Sequence, residues 1–397
     1  MIKLLKIAPF LLLTGCAAVG PDWKAPSTQL ANTFVSGDSK TINEVAYRPW
    51  WREFNDPVLT SLVEKGFDQN LDILQAKERI REASAKLRET GINSALDGSA
   101  SYDRLRSGGE NQSTGTSSSS SLDASFVIDL FGGIRREQEA AEAYLAAAQA
   151  DVGTERLAWL AELIESYADA RYYQQAALLT RDTIKTRQST LAITQKQMDN
   201  GLSTQYEVAE IKAALQSAQS DLPSYQALFH AAVFAIATLM DEPAKPLLEK
   251  MKQTPAAIST GIPADLLRNR PDIRYYEAIF HQQVAKTGVE EADLYPSISL
   301  TGSISHADSN DSWSFGPSIS LGIFNRSLLK AERDAQESAA KQAEIDWRAS
   351  VRDAVQDVEV SQSNFTLYSL QSNLLQQAAD SYSTALRLGR NNYRKAL

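Results

Sequence analysis

The chain has 397 residues, one cysteine, three histidines and a formal net charge of −9. A single cysteine excludes an internal disulfide framework and a cysteine-based zinc cluster. The acidic balance argues against nucleic acid as a partner, because phosphate contacts need basic patches. The sequence also has no nucleotide-binding loop, no metal-spaced histidines and no serine in a Gly-x-Ser-x-Gly context, so it predicts neither an enzyme nor a bound cofactor or metal.

The N-terminus predicts a bacterial lipoprotein signal. A positively charged start precedes the short apolar run Ile7–Leu13, and Leu13-Thr14-Gly15-Cys16 matches a lipobox. The run is too short to span a bilayer. We therefore expect a signal peptide over residues 1–15 and a fatty-acid (palmitate) anchor on Cys16. Because Ala17 rather than an aspartate follows, retention in the outer membrane is expected. An ordinary signal peptide with an incidental cysteine is the alternative.

The rest of the chain repeats one pattern twice. A lipid-anchored extended segment (residues 16–57) precedes the first copy (58–240), a connector (241–263) and the second copy (264–397). Four prolines mark each of the two non-repeated segments. Leu71-Asp72-Ile73 opens a helix in the first copy, and Pro271-Asp272-Ile273 opens its counterpart. Two copies of a unit with a helix, a strand pair and a long helix indicate a pseudo-symmetric part of a larger ring.

Period-two alternation predicts the strands. The two ranges 122–130 and 313–323 carry apolar residues on one face and mainly serine or aspartate on the other, and 298–304 continues the pattern. The Ser-rich segment Arg106–Ser121 and its counterpart His306–Ser312 are predicted as loops. A half-buried soluble sheet would show the same alternation. In a membrane barrel, the lipid-facing positions would be Phe126, Ile128, Leu130, Ile298, Leu300, Phe315, Ile319 and Leu321.

Four strands cannot close a barrel, and open strand edges are not tolerated in lipid. A membrane sheet therefore requires an oligomer, and three copies would supply twelve strands. A ring of this kind is more consistent with a tube that conducts solutes than with an enzyme.

The helices carry a stronger signal. From Val208 to Leu239 apolar residues recur at alternating spacings of three and four, as in a coiled coil, and Trp347 to Tyr393 follows a similar ladder. A helix from about Gly133 to Asn200 would be roughly 100 Å long. We expect Gly201 to form the turn at its far end and Pro223 to kink the returning helix. The predicted fold is mainly α with a small β part: a long helical coiled-coil barrel joined to transmembrane strands, four from each protomer.

Several segments together resemble the outer-membrane efflux channel family (TolC-like), specifically its lipoprotein branch. Val19-Gly20-Pro21-Asp22 and residues 50–57 are similar to its N-terminal signatures. Residues 266–273, followed by 295–302, resemble its most specific internal pair, and Asp129–Gly132 resembles a strand-to-helix entry. Their order and spacing, more than any one of them, identify the chain as a member.

The resemblance implies a homotrimer with a twelve-strand barrel in the outer membrane and a helical tunnel in the periplasm. It implies an exit duct that passively conducts drugs or other small molecules for an inner-membrane transporter. A periplasmic adaptor (membrane fusion) protein would dock on a hairpin tip formed by Gly201, Leu202, Ser203 and Thr204. The alternative function is a lipid-anchored periplasmic coiled-coil scaffold or adaptor without a pore.

The second copy departs from the family pattern. Aligned with the first copy, Ala396 falls on Gly201, and the return helix that follows Gly201 in the first copy has no counterpart. We therefore expect an apolar seam along Trp347–Tyr393 that is partly uncovered, and a sequence that represents part of a longer chain.

Overall fold

The computed structural model describes residues 18–26, 49–110, 112–253, 270–308 and 310–396, so the predicted acylation site Cys16 lies outside the described residues. Two compact units are present. The sheet unit comprises the described parts of Met1–Asn43, Arg79–Ala150 and Ala264–Leu397. The hairpin unit comprises those of Glu44–Glu78 and Asp151–Pro263.

Helices dominate both units. A short 3-10 helix, Trp50–Phe54, precedes the first α-helix. The described helices and strands in chain order are α1 (Pro57–Gln69), α2 (Leu71–Glu89), α3 (Ile92–Ala95), β1 (Leu96–Gly109), β2 (Gln112–Ile128), α4 (Gly133–Asp199), α5 (Gln205–Leu239), α6 (Ala244–Gln253), α7 (Pro271–Ala292), β3 (Ser297–Ala307), β4 (Asn310–Ser320) and α8 (Arg326–Ala396). The helix starts predicted at Leu71 and Pro271 are confirmed, and α5 continues through Pro223.

Side-chain caps define the first helices of the hairpin unit. The Oδ1 of Asp56 accepts hydrogen bonds from the backbone N–H groups of Val58 and Leu59, at 2.8 and 3.1 Å. Pro57, the first residue of α1, has no N–H to leave unpaired. The Oδ1 of Asn70 accepts from the N–H of Ile73 at 3.0 Å. These polar residues start α1 and α2 because each satisfies a backbone donor that the helix leaves free.

The core of the hairpin unit is built from α1, the start of α2, the middle of α4, the end of α5 and α6. The Trp159 indole lies so close to α1 that a Cβ at Gly66 would be 2.0 Å from its ring, and its Nε1 donates to the Leu239 carbonyl at 3.0 Å. Helix α5 is long and apolar enough to cross a membrane by length and composition. Its C-terminal half packs into this core through Phe229, Val233 and Ile236.

The sheet unit contains one antiparallel sheet with the strand order β1-β2-β3-β4. The predicted Ser-rich loop is wrong, because Ser117–Ser121 pair with β1 over the register Leu105↔Ser117 to Ser101↔Ser121. Serine hydroxyls bridge the strands: the Oγ atoms of Ser101 and Ser121 are 2.9 Å apart. Pairing with both neighbouring strands outweighs the low strand propensity of serine.

The second predicted loop is also shorter than expected. His306 and Ser312 both lie in strands, and the turn is confined to the residues around Asp308. Asp308 has a φ of 44° and extends the pairing with Ser118: its N–H donates to the Ser118 carbonyl, and its carboxylate accepts from the Ser118 N–H at 3.0 Å. The Asp308 carboxylate thus takes the place of a backbone acceptor at the end of the hydrogen-bond ladder between β2 and β3.

Helices α7 and α8 pack against each other near the start of α7. Ile273 contacts Ala354 and Val358, and the Arg270 guanidinium joins Asp272 to Asp357 at 2.7 and 3.0 Å. Between Val360 and Leu388 the apolar residues of α8 whose burial the structure describes are exposed; they include Phe365, Leu370, Leu375, Tyr382 and Leu386.

Candidate membrane face, anchor strap and hairpin tip

One face of the sheet is apolar. The register places six of the predicted lipid-facing residues together on it, namely Phe126, Ile128, Ile298, Leu300, Phe315 and Ile319. Leu130 and Leu321 follow the ends of β2 and β4. The same face includes Leu96, Leu122, Ile304 and Trp313.

This apolar face is uncovered by the part of the chain that the structure describes. Trp313 is 80% exposed, and Ile319 is 70% exposed. A contiguous apolar patch of this kind marks a surface that meets a membrane or another protein.

The opposite face of the sheet is lined mainly by hydroxyl and carboxylate groups. The Oγ of Ser121 donates to the Oδ2 of Asp123 at 2.9 Å, and the Oγ atoms of Ser305 and Ser312 are 2.7 Å apart. This face can form hydrogen bonds with water or polar solutes along its length. Its residues include Asp97, Ser99, Asp103, Ser119, Ser125, Ser299, Thr301, Ser303, Ser314 and Ser318.

Residues 18–26, here called the anchor strap, are held at the junction between β2 and α4. The Val19 N–H donates to the Phe131 carbonyl at 2.9 Å. Arg136 is 5% exposed. Its Nε donates to the Val19 carbonyl at 3.1 Å, and its Nη2 donates to the Asp22 Oδ1 at 2.7 Å. A nearly buried arginine therefore fixes both the backbone and a side chain of the strap.

Aromatic stacking fixes the next part of the anchor strap. The Trp23 indole stacks on the His281 imidazole, with ring centroids 4.6 Å apart, and meets Phe280 edge-on. The His281 Nε2 lies 3.1 Å from the Oε1 of Glu139, and the other carboxylate oxygen of Glu139, Oε2, accepts from Arg136. The sequence analysis missed Trp23, Arg136 and His281, and the only available signal was the Val19–Asp22 signature.

Glycines make room for the anchor strap. A Cβ at Gly132, whose φ is +80°, would lie 2.4 Å from the Cα of Ala18. A Cβ at Gly20 would lie 2.5 Å from the Cα of Gly288, and one at Gly288 would lie 2.7 Å from the Cγ and Cδ of Arg136. The close approach of the strap to α4 and α7 thus depends on residues without side chains.

The hairpin unit has a compact turn between α4 and α5. The Leu202 N–H donates to the Gln197 carbonyl at 2.8 Å and the Gly201 N–H to the Met198 carbonyl at 2.9 Å, which is a Schellman motif. Gly201 has the φ of +73° that this motif requires. The turn predicted at Gly201 is therefore confirmed.

A capping box starts the returning helix. The Thr204 Oγ1 accepts from the Glu207 N–H at 3.2 Å, and the Glu207 Oε2 accepts from the Thr204 N–H at 2.7 Å. The Ser203 hydroxyl donates to the same Oε2 at 2.7 Å. The hydrogen bonds from Ser203 and then from Thr204 lower the pKa of the Glu207 carboxyl.

The four predicted tip residues are thus together in one turn, but their roles differ. Gly201, Ser203 and Thr204 shape the backbone, whereas Leu202 projects into solvent with 78% exposure. Tyr206, which the sequence analysis did not single out, is 75% exposed. The tip therefore offers one aliphatic and one aromatic side chain on a rigid turn.

Among the described residues, no group of three or more His, Cys, Asp or Glu side chains is arranged to hold a metal ion.

Comparisons with known proteins agree with these features. The family model for outer membrane efflux proteins matches residues 62–241 and 262–395. Nodulation protein T of Rhizobium leguminosarum bv. trifolii is 36% identical over 369 residues, covering 88% of this chain and 79% of that protein. The solvent efflux pump outer membrane protein SrpC of Pseudomonas putida is 28% identical over 422 residues, covering 98% and 88%.

Solved structures give the same result. The outer-membrane channel OprN is 27% identical, with a TM-score of 0.77 over 92% of this chain and 87% of that one. The open state of the MtrE outer membrane channel of Neisseria gonorrhoeae has a TM-score of 0.80 at 24% identity, over 96% and 89%, and supports the fold. The chain therefore belongs to the outer membrane efflux protein family.

Proposed function

We propose that this outer membrane efflux protein is the exit duct of a tripartite pump, in which three copies close a twelve-strand barrel. The observation that carries the proposal is the two-faced sheet: one face is apolar and exposed, and the other is lined by hydroxyl and carboxylate groups. A barrel wall needs this division, since lipid meets one face and water the other. Efflux of toluene, solvents and pyoverdine is ascribed to relatives, and we propose small molecules as the cargo here.

The edges of the sheet support an assembly of several copies. Strands β1 and β4 each have one neighbour among the strands that the structure describes. Because the four strands alternate in direction, β4 of one copy runs antiparallel to β1 of the next, as a closed barrel requires. Closure would satisfy the backbone groups that lipid cannot.

The anchor strap supports acylation of Cys16. Only two peptide links separate Cys16 from Ala18, so they span at most about 7 Å. Ala18 lies against Gly132, where β2 gives way to α4 at the base of the apolar face. Acyl chains on Cys16 would thus enter the lipid at the same level as the end of the barrel wall.

The hairpin tip supports docking of a periplasmic adaptor, with an inner-membrane transporter as the third component. Leu202 and Tyr206 provide an exposed apolar contact, and the Schellman motif and capping box keep their backbone fixed. A rigid, exposed pair of this kind costs little conformational entropy on binding.

Single-cysteine variants test the barrel. Phe126→Cys and Ile319→Cys should resist a water-soluble thiol reagent in intact outer membranes, whereas Ser125→Cys and Ser318→Cys should react. Each pair comprises adjacent residues in one strand, so the neighbour is the matched control. Equal labelling of both members would contradict the exit duct and favour a periplasmic scaffold without a pore.

A separate pair tests the tip. Leu202→Ser should reduce efflux without lowering the amount of assembled protein, because an exposed side chain contributes little to folding. Ile193→Ser is the control, since Ile193 is also exposed but lies two helical turns before the tip. Unchanged drug susceptibility with Leu202→Ser, in a host that depends on this protein, would contradict docking at the tip.

A further inference from the structure

Two arginines lie on the apolar side of the sheet but beyond the apolar residues. The side chains of β1 alternate, so Arg104 and Arg106 share the face of Leu96 and Tyr102. Both arginines are exposed. On the lipid side of a barrel, an arginine costs much free energy at the middle of the membrane and little near the interface. The position of the two arginines along the strand therefore decides whether they can contact lipid headgroups.

The strand register gives that height. The apolar face begins with the row of Ile128, Ile298 and Ile319, and the next row holds Leu96, Phe126 and Leu300. The last apolar row holds Leu122, Ile304 and Trp313. The next row contains Tyr102 and His306, and Arg104 and Arg106 follow at two-residue steps. Arg104 is eight residues along β1 from Leu96, or roughly 26 Å at 3.3 Å per residue. The arginines therefore lie just above a belt whose upper edge carries aromatic side chains.

The topology gives the side of the membrane. Helices α3, α4, α7 and α8 all adjoin the strand ends at Leu96, Ile128, Ser297 and Ser320. The arginines lie toward the opposite end, near the turns that join β1 to β2 and β3 to β4. If the helices are periplasmic, as proposed above, the arginines face the outer leaflet.

The two guanidinium groups are free to bind an anion. Their partners across the β1–β2 register are Ser118 and Thr116, both uncharged. In the part of the chain that the structure describes, neither arginine makes an ion pair. The carboxylate on this face in the row below, Asp311, already contacts His306 at 2.6 Å. Asp103 is on the other face of β1. The nearest carboxylate in the row of Arg104, Asp308, already accepts from the Ser118 N–H at 3.0 Å. The two guanidinium groups thus add two positive charges to a rim whose nearby carboxylates have other partners.

We propose that Arg104 and Arg106 bind the phosphate groups of an anionic lipid headgroup in the outer leaflet; this rests on the exit-duct function proposed above. Guanidinium groups bind phosphate through paired, charge-assisted hydrogen bonds. Two arginines on alternate residues share one face, with Cα atoms about 6.6 Å apart along the strand. A phosphorylated lipid is the occupant that matches both the charge of the rim and the adjoining apolar belt. Three copies would present six arginines around the barrel.

The test uses the full assembly, extracted from outer membranes in mild detergent, with bisphosphorylated lipid A as the probe. Native mass spectrometry should show retained lipid A on the wild-type assembly. Arg104→Gln with Arg106→Gln should reduce the retained amount about tenfold, since each basic residue near an anionic lipid surface contributes a several-fold gain. Arg104→Lys with Arg106→Lys should retain most of it, because the charge is kept.

The control is Arg181→Gln with Lys212→Gln, which removes the same charge from exposed positions on α4 and α5. It should retain lipid A like the wild type. Equal retention by the Arg104 and Arg106 double variant, or equal retention of dephosphorylated lipid A by the wild type, would overturn the proposal.

Thiol labelling of the same preparations distinguishes a failure of lipid binding from a failure of the barrel. Suppose that Phe126→Cys is protected relative to Ser125→Cys, but the Arg104 and Arg106 double variant retains as much lipid A as the wild type. That result would overturn this inference alone. Equal labelling of the two would overturn the exit-duct proposal as well.

Discussion

The stacked rings of Trp23 and His281, 4.6 Å apart, join residues separated by more than 250 positions in the chain. With the hydrogen bonds from Arg136 to Val19 and Asp22, this contact holds the anchor strap against α4 and α7. The strap is the described segment that follows the predicted acylation site, so its attachment determines where a lipid anchor can act.

Gly288→Ala should release the anchor strap. The new methyl group would lie 2.7 Å from the Cγ and Cδ of Arg136, and the guanidinium would have to leave Val19 and Asp22. Overpacking of this kind costs about 1–3 kcal/mol. Hydrogen exchange measured by mass spectrometry should show faster exchange at the Val19 amide. Gly316→Ala, with no heavy atom within 4 Å of its Cβ, should leave this exchange unchanged. Slow exchange in both variants would contradict the role of Arg136.

Glycine substitutions should differ strongly between the core and the tip of the hairpin unit. Gly201→Ala meets no atom within 4 Å and is strained only by its φ of +73°, which costs about 1–2 kcal/mol. Gly66→Ala places a methyl group 2.0 Å from the Trp159 ring and should cost about 3 kcal/mol or more, because the indole must leave its site. Thermal unfolding of the two variants measures which one loses more stability. A larger loss for Gly201→Ala would contradict it.

The capping box should weaken in acid. The pKa of Glu207 is lowered in the folded protein, so its contribution is complete above the ordinary glutamate pKa of about 4.3 and is lost as the pH falls through the lower, folded pKa. Hydrogen exchange of residues 204–208, corrected for intrinsic rates, should therefore accelerate below about pH 4.

Glu207→Gln should remove that pH dependence, since an amide does not titrate in this range. Glu210→Gln, on the next turn of α5, should keep the wild-type pH profile. An unchanged profile in Glu207→Gln would show that another group controls the tip.

A phenol hydroxyl should be important in the core of the hairpin unit. Tyr167 donates to the Asp56 Oδ2 at 2.6 Å and accepts from Arg171, which is 1% exposed. Burial, followed by the hydrogen bond to Asp56, raises the pKa of this phenol. Tyr167→Phe should lower the free energy of unfolding by about 1–3 kcal/mol, because buried polar groups lose a partner.

Chemical denaturation measures that loss, with Tyr172→Phe as the control because Tyr172 is 61% exposed. Equal stability of the two variants would mean that Arg171 finds compensating partners without the hydroxyl.

Local sequence signals predicted a large part of this fold. Helix starts at Leu71 and Pro271 and the turn at Gly201 depend on capping and backbone geometry over a few residues. The two faces of the strands followed from period-two alternation. The tip residues could be located for the same reason, since their hydrogen bonds are all local.

Other features were not predictable because they depend on contacts between distant residues. The segment Ser117–Ser121 has no strand propensity of its own and becomes a strand only through its partners in β1 and β3. Trp23 and His281, or Asp56 and Tyr167, are more than 100 residues apart, and no periodicity in one sequence links them. The extent of the strands and the attachment of the anchor strap therefore required the structure.

The Schellman and capping-box hydrogen bonds of the turn between α4 and α5 all lie within the eleven residues from Gln197 to Glu207. A segment that folds through its own contacts can be exchanged as a module. If an adaptor docks at the tip, as proposed above, replacing residues 197–207 with the matching stretch of a relative would transfer partner preference while the flanking helices stay intact. Pairing between components of different pumps could then evolve, or be engineered, through this short stretch.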